Sequence, residues 1–260
     1  MDYGYRMLRH VVAQVFRNLG QAARLTLVPT FLPMALLLLL FLQSGVTYNA
    51  FPDTPGTAPL NGSEMNPGIV FLLVMAGIVT SLVTYCWAAV GWHRFVLLEE
   101  YGRGIVPQWH GANVMSYLGR AFLIGLLTVV LGFGGLLVVG LILTALPYQA
   151  VAFVVLTGFT LGLTWVVTRI GLILPAAALG EAMTLGESWN ATRPVASDLL
   201  VPLFFIALAM TVASELIGLA FRNSALGLVP MAFLYWIQIL LNLSLMTTLY
   251  GTQIQGRPLN

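Results

Sequence analysis

The sequence predicts an all-α integral membrane protein: six transmembrane helices preceded by an interfacial amphipathic helix, all in one membrane domain over 1–260. Three observations carry that expectation. Of the 260 residues, 59% are hydrophobic and 8% charged, where a soluble domain carries about 25% charged residues. Several runs exceed the roughly 18 apolar residues that a bilayer crossing needs. All eleven basic residues are arginine, and all but one fall on the same side once the spans are drawn.

Residues 1–24 form the amphipathic segment. At about 100° per residue, Leu8, Val11, Val12, Val15, Phe16 and Leu19 gather on one side, with Arg6, Arg9, Arg17 and Arg24 on the other. Such a helix lies in the headgroup plane with its apolar face toward lipid. No small-residue cleavage site follows the apolar run, so the segment is expected to be retained rather than removed as a secretory signal. It reads as an anchor that orients the first span, with lipid sensing as the sharper role.

Span one covers about 25–42 and holds Pro29 and Pro33, kinks that membrane helices tolerate when neighbours satisfy the freed carbonyls. Residues 43–68 are rich in Pro, Gly, Asn and Ser without apolar period, hence a loop outside the bilayer, and contain the sequon Asn61-Gly62-Ser63. Span two, 69–92, ends in Trp92-His93-Arg94, expected at the membrane edge as headgroup or loop contacts. Span three is 121–146. A short turn at Pro147-Tyr148-Gln149 leads to span four, 150–174, and spans five and six follow at 199–220 and 228–250.

Six spans put both termini on one side. By the positive-inside rule that side is the cytoplasm: Arg6, Arg9, Arg17, Arg24, Arg94, Arg103, Arg120, Arg169, Arg193 and Arg257 then face in, and only Arg222 faces out. The first outer loop carries Asp53 and Glu64 and no arginine. The expected location is a bacterial inner membrane, with exclusive use of arginine pointing to a GC-rich genome.

Span four is the most informative stretch. Thr157, Thr160, Thr164 and Thr168 recur at helical spacing as one polar stripe, beside a G-x-x-x-G pair, Gly158 and Gly162, that would admit another helix closely. Tyr85 on span two, with Thr80, Ser81 and Thr84, and Gln238 and Asn242 on span six, with Tyr235, present further polar faces. Two readings stay open. The three faces line a cavity between spans two, four and six, with Arg169 as the cation for a phosphate or carboxylate; or they are interhelical glue, worth about 0.6 kcal/mol per bond. Thr184 and Glu187 have the spacing of a capping box, predicting a short helix that Pro194 ends. Trp189 and Arg193 there, like Arg94, are expected at the headgroup level, as partner or headgroup contacts.

The stretch RIGLILPAAALGEAMTLGESWNATRP resembles, through Arg169, Pro175, Ser188, Trp189 and Thr192, an element of YciC-like bacterial inner-membrane proteins. The membrane domain fused to some glycerophosphodiester phosphodiesterases is similar. The resemblance implies a six-helix fold opened by an amphipathic segment, and no activity.

No catalytic constellation is expected. Glu99-Glu100-Tyr101-Gly102-Arg103 and His110-Gly111-Ala112-Asn113 each fall one residue short of the motifs of CAAX-type intramembrane proteases, and one residue turns a helix by about 100°. Proteolysis is accordingly the remote alternative. His10, His93 and His110 stand in separate contexts and Cys86 is the one cysteine, so no metal site and no cofactor are expected. The expected function is a non-enzymatic scaffold or accessory subunit of a larger inner-membrane assembly, such as a respiratory or photosynthetic one. A small-molecule or lipid carrier is the alternative. Expected partners are membrane lipids and other integral membrane proteins, with no nucleic acid.

Overall fold

In lipid an open chain can satisfy its backbone polar groups only by coiling into helices, and this chain does so. The computed structural model describes residues 2–43, 67–102, 104, 106–145, 149–221 and 224–259. Among them are nine α-helices, two single 3-10 turns and no strand. The helices are α1 (Asp2–Arg17), α2 (Leu19–Gln43), α3 (Pro67–Leu98), α4 (Gly111–Ala145), α5 (Gln149–Ile170), α6 (Ile173–Leu179), α7 (Leu185–Ala191), α8 (Leu200–Phe221) and α9 (Leu228–Gln253).

Five helices are long and apolar enough to cross a membrane: Phe71–Leu98, Gly111–Thr144, Val151–Leu179, Leu200–Phe221 and Leu228–Gln253. The segment expected as span one is α2, a helix of 25 residues with Pro29 and Pro33 inside it. Asp53, Glu64, the Asn61 sequon, Arg103, the turn at Pro147-Tyr148 and Arg222 lie outside the described residues.

Two helices run well past their expected ends. At 1.5 Å per residue, the 32 residues of α3 and 35 of α4 span about 48 and about 52 Å, against roughly 30 Å of hydrocarbon. Both extend toward the end of the bundle that carries the two termini, which are pinned together there: Gln253 donates to the Tyr3 hydroxyl (3.2 Å) and Thr248 to Gln14 Oε1 (3.1 Å).

Span four is not one helix, because Pro175 has no N–H and its ring crowds the carbonyl four residues back. The chain breaks at Gly171-Leu172 and resumes as α6. Five of the seven α6 residues, Ile173 and Pro175–Ala178, are buried, packed against α3, α4 and α9 at the centre of the terminal end. Gly180 closes α6 in the left-handed conformation (φ 82°), which lets Glu181 N–H reach the Ala176 carbonyl at 2.8 Å.

α1 does not rest its whole apolar face on lipid. Met7, Val11 and Val15 are buried against α9 and α8, while Tyr5, Val12 and Phe16 stay exposed on an adjoining strip. Gly4 permits the close approach, since a Cβ there would stand 2.6 Å from the Asp198 carbonyl oxygen. The result is a helix with three faces: protein, exposed apolar and polar.

Candidate functional site

The break after Arg169 leaves polar backbone inside an apolar bundle, and the segment around α7 mends it. Ser188, fully buried, donates to the Arg169 carbonyl (2.7 Å) and accepts from the Leu172 N–H (3.1 Å), covering two groups that an unbroken helix would have paired. Arg169 Nε donates to Thr192 Oγ1 (3.2 Å) and Nη2 to the Trp189 carbonyl (2.8 Å). Its guanidinium lies 3.5 Å from the Trp189 ring centroid and 4.9 Å from that of Trp165, and Trp165 Nε1 is anchored on the Ala196 carbonyl at 2.6 Å. Arg169 is thus 5% exposed and clamped between two indoles. The motif residues Arg169, Pro175, Ser188, Trp189 and Thr192 form one structural device.

α7 itself is set by the capping box that the sequence predicts. The Thr184 hydroxyl accepts from Glu187 N–H (3.2 Å), and the Glu187 carboxylate accepts from Thr184 N–H (2.7 Å). Donation from the Thr184 N–H, joined by its hydroxyl at 2.9 Å, holds the Glu187 carboxyl below the usual carboxylate range.

A second polar group serves carbonyls at both ends of α6 and in the turn after it. Arg120 reaches the Ile173 carbonyl (2.7 Å) and the Glu181 carbonyl (2.8 Å), Asn113 reaches that of Ala178 (3.0 Å), and Arg94 the same oxygen at 3.2 Å. The Arg94 guanidinium at Ala178 stands at the negative end of the helix dipole, a favourable place for a cation. Arg94 therefore turns inward rather than to the headgroups, with Nε on Glu100 at 2.7 Å. Glu100 also meets His110 Nε2 at 3.0 Å. Asn113 is committed to α6, whereas Glu99, Glu100 and His110 line one cavity of about 620 Å³ together with Arg94.

His93 is fully buried, not at an edge. Thr247 spends its proton on the Leu243 carbonyl (2.6 Å), so at 2.7 Å it accepts from His93 Nδ1–H, leaving Nε2 to face the Tyr117 hydroxyl at 3.4 Å. Trp92 Nε1 bonds Ser244 Oγ at 3.1 Å in the same seam. The sequence signal for this group was available: Asn113, Tyr117 and Arg120 recur at i, i+4 and i+7, one polar face at the start of α4.

The cavity expected between spans two, four and six takes a different form. α5 packs against α4, α7 and α8, while α3 and α9 pack on each other. Thr157, Thr160 and Thr164 are exposed, and the hydroxyls of Thr160, Thr164 and Thr168 each bond their own helix four residues back at 2.8 Å. Among the described residues no atom outside the helix's own backbone lies within 4 Å of a Cβ placed on Gly158 or Gly162, so none of them packs on the G-x-x-x-G face. Gln238 and Asn242 are exposed on α9. Tyr85 instead joins Pro29, Pro33, Thr84 and Tyr235 around a cavity of about 330 Å³ between α2, α3 and α9. Trp189 is half-exposed beside Arg169, and Arg193 is exposed.

Among the described residues no three His, Cys, Asp or Glu side chains come together as a metal site. No protein-family model, curated protein or solved structure matches the chain.

Proposed function

We propose that this chain is a non-enzymatic scaffold of a bacterial inner membrane, crossing it six times with α2 as the first span and both termini in the cytoplasm. It holds another integral membrane protein against the open face of α5. The observation that carries this reading is that face itself. Gly158 and Gly162 offer a groove that no side chain among the described residues enters, and the Thr160 and Thr164 hydroxyls of the same helix are already satisfied within α5. A close-packed helix can seat there without stranding a polar group. Arg169, the one cation at depth on that helix, is fully engaged by Thr192, Trp189 and Trp165 and is a fastener in this reading.

The test is photocrosslinking in native membranes from position 162. One discrete protein adduct, abolished by Gly158→Leu, is the expected result; lipid-sized adducts alone overturn the proposal. Orientation is tested in the same membranes, in a background lacking Cys86, by an impermeant thiol reagent on Ser63→Cys and Asn190→Cys. Labelling of the first and protection of the second is expected.

The alternative, a lipid or small-molecule carrier, is favoured by the cavity at Tyr85, whose size and mostly apolar lining suit one acyl chain. Purified chain that carries stoichiometric lipid, lost in Tyr85→Trp, would favour it over the scaffold.

A further inference from the structure

The polar face of α1 is not spread evenly over solvent. His10, Gln14, Arg17 and Asn18 line one side of a cavity of about 420 Å³, closed by Thr248 and Thr252 of α9 and by Arg257 of the tail. Among the described residues no carboxylate lines it. We propose that this cavity binds a phosphate-bearing anion.

The donor set is the reason. Arg17 has no partner within the described residues. Gln14 accepts from Thr248 through Oε1 (3.1 Å), which leaves its amide nitrogen to donate. The opposing influence is the negative C-terminal ends of α3 and α9 nearby. That influence is answered by bonds already made: Arg257 reaches the Val96 carbonyl (3.0 Å) and the Leu97 carbonyl (2.6 Å), and its own N–H takes that of Gly251 (2.9 Å). Arg17, the Gln14 amide nitrogen and the charge of Arg257 thus bracket a space with no carboxylate among the described residues, the pattern that favours a phosphate over a cation or a neutral solute.

Two sources share this chemistry, a soluble phosphomonoester and the headgroup of an anionic lipid. Helical geometry favours the first. Tyr5, Val12 and Phe16, the exposed apolar strip, lie across the helix from His10 and Arg17, with Met7, Val11 and Val15 held by protein between them. If the apolar strip dips into lipid, the cavity opens to water.

The experiment uses the full chain in phosphatidylcholine nanodiscs, titrated calorimetrically with inorganic phosphate and with glycerol 3-phosphate. Arg17→Gln is the main variant, because the native side chain is exposed and bonds nothing; Arg9→Gln, on the same helix outside the cavity, is the control. Expected is saturable binding that Arg17→Gln weakens at least tenfold and Arg9→Gln leaves within twofold. Arg257→Gln should weaken binding as well, and thermal unfolding reports whether its loss of the Val96 and Leu97 bonds has disturbed the fold. Binding seen in phosphatidylcholine but suppressed in phosphatidylglycerol nanodiscs, and sensitive to Arg17, assigns the same site to a lipid headgroup that competes with the soluble phosphate. Absence of binding in both lipids, or equal effects of Arg9→Gln and Arg17→Gln, overturns the site. The outcome is independent of the scaffold reading, which concerns α5.

Discussion

The two ends of the bundle are built by different rules. At the terminal end the helices pack as tightly as a soluble core: α9 is buried almost continuously from Trp236 to Gly251, and α6 is sealed against α3, α4 and α9. At the far end the same helices expose Leu228, Val229 and Phe233 on α9, Phe153 and Val154 on α5, and Leu216 and Leu219 on α8. Polar groups follow the division. Near the termini they bond between elements, as in Ser188 with Arg169 and Leu172, or His93 with Thr247. Toward the far end Thr160 and Thr164 bond only their own helix. The comparison teaches that specificity of this fold resides at the terminal end. The far end supplies exposed apolar surface.

The largest effect that would test this division is expected from Arg169→Ala. Charged hydrogen bonds are worth about 1.5–3 kcal/mol each, and a desolvated cation–π contact adds roughly 2 kcal/mol. Because contributions within one network are not additive, their joint loss should cost less than the sum, about 3–5 kcal/mol, read as a lowered midpoint in thermal unfolding of the purified protein in detergent. If the variant unfolds like the parent, the clamp is not a fastener and the terminal end is less tightly specified than its contacts indicate.

A smaller effect is expected at Thr184. Removing an N-cap hydroxyl costs about 1 kcal/mol, so Thr184→Ala should lower the midpoint modestly. The same box carries a pH dependence with a definite sign. The Glu187 carboxyl is depressed by the Thr184 backbone and hydroxyl donors, so its stabilisation is complete above the ordinary carboxyl pKa. It is lost as pH falls through the depressed value. Between about pH 6 and about pH 3 the parent should therefore lose more stability than Thr184→Ala does. Equal losses would place the acid sensitivity elsewhere.

The smallest effect belongs to the far end. Thr160→Val and Thr164→Val remove hydroxyls that serve no neighbour, and should shift stability by no more than about 0.6 kcal/mol per bond. A large loss on the isolated chain would mean that the α5 stripe is packed after all, and would erase the contrast between the two ends.

Much of this architecture was legible in the sequence, and for a simple reason. Oil-soluble runs that outlast the bilayer thickness have to be helical, so spans two to six appear as helices close to their expected positions. The capping box was legible because a cap is local, contained within Thr184 to Glu187. What escaped was long-range. Nothing within a few residues of Arg169 reveals that Ser188 and Thr192 would return to cover it, or that Pro175 would break the span into two helices rather than bend it. His93 looked like an edge residue because its partners, Tyr117 and Thr247, sit 24 and 154 positions away. The extra turns of α3 and α4 escaped because hydropathy ends where lipid ends, whereas the helices continue into protein.

By itself, then, the sequence determined the class of the molecule, its helices and the local chemistry of its caps, since these depend on hydrophobicity and on spacing within a turn or two. Only the tertiary structure decided which polar residues are fasteners and which are free. Arg169 and Arg94 are committed to internal carbonyls, while Arg17, outwardly the same residue type, lines a cavity with no partner among the described residues. A guanidinium carries the same charge wherever it occurs; what it can do depends on which acceptors the folded chain has already brought to it.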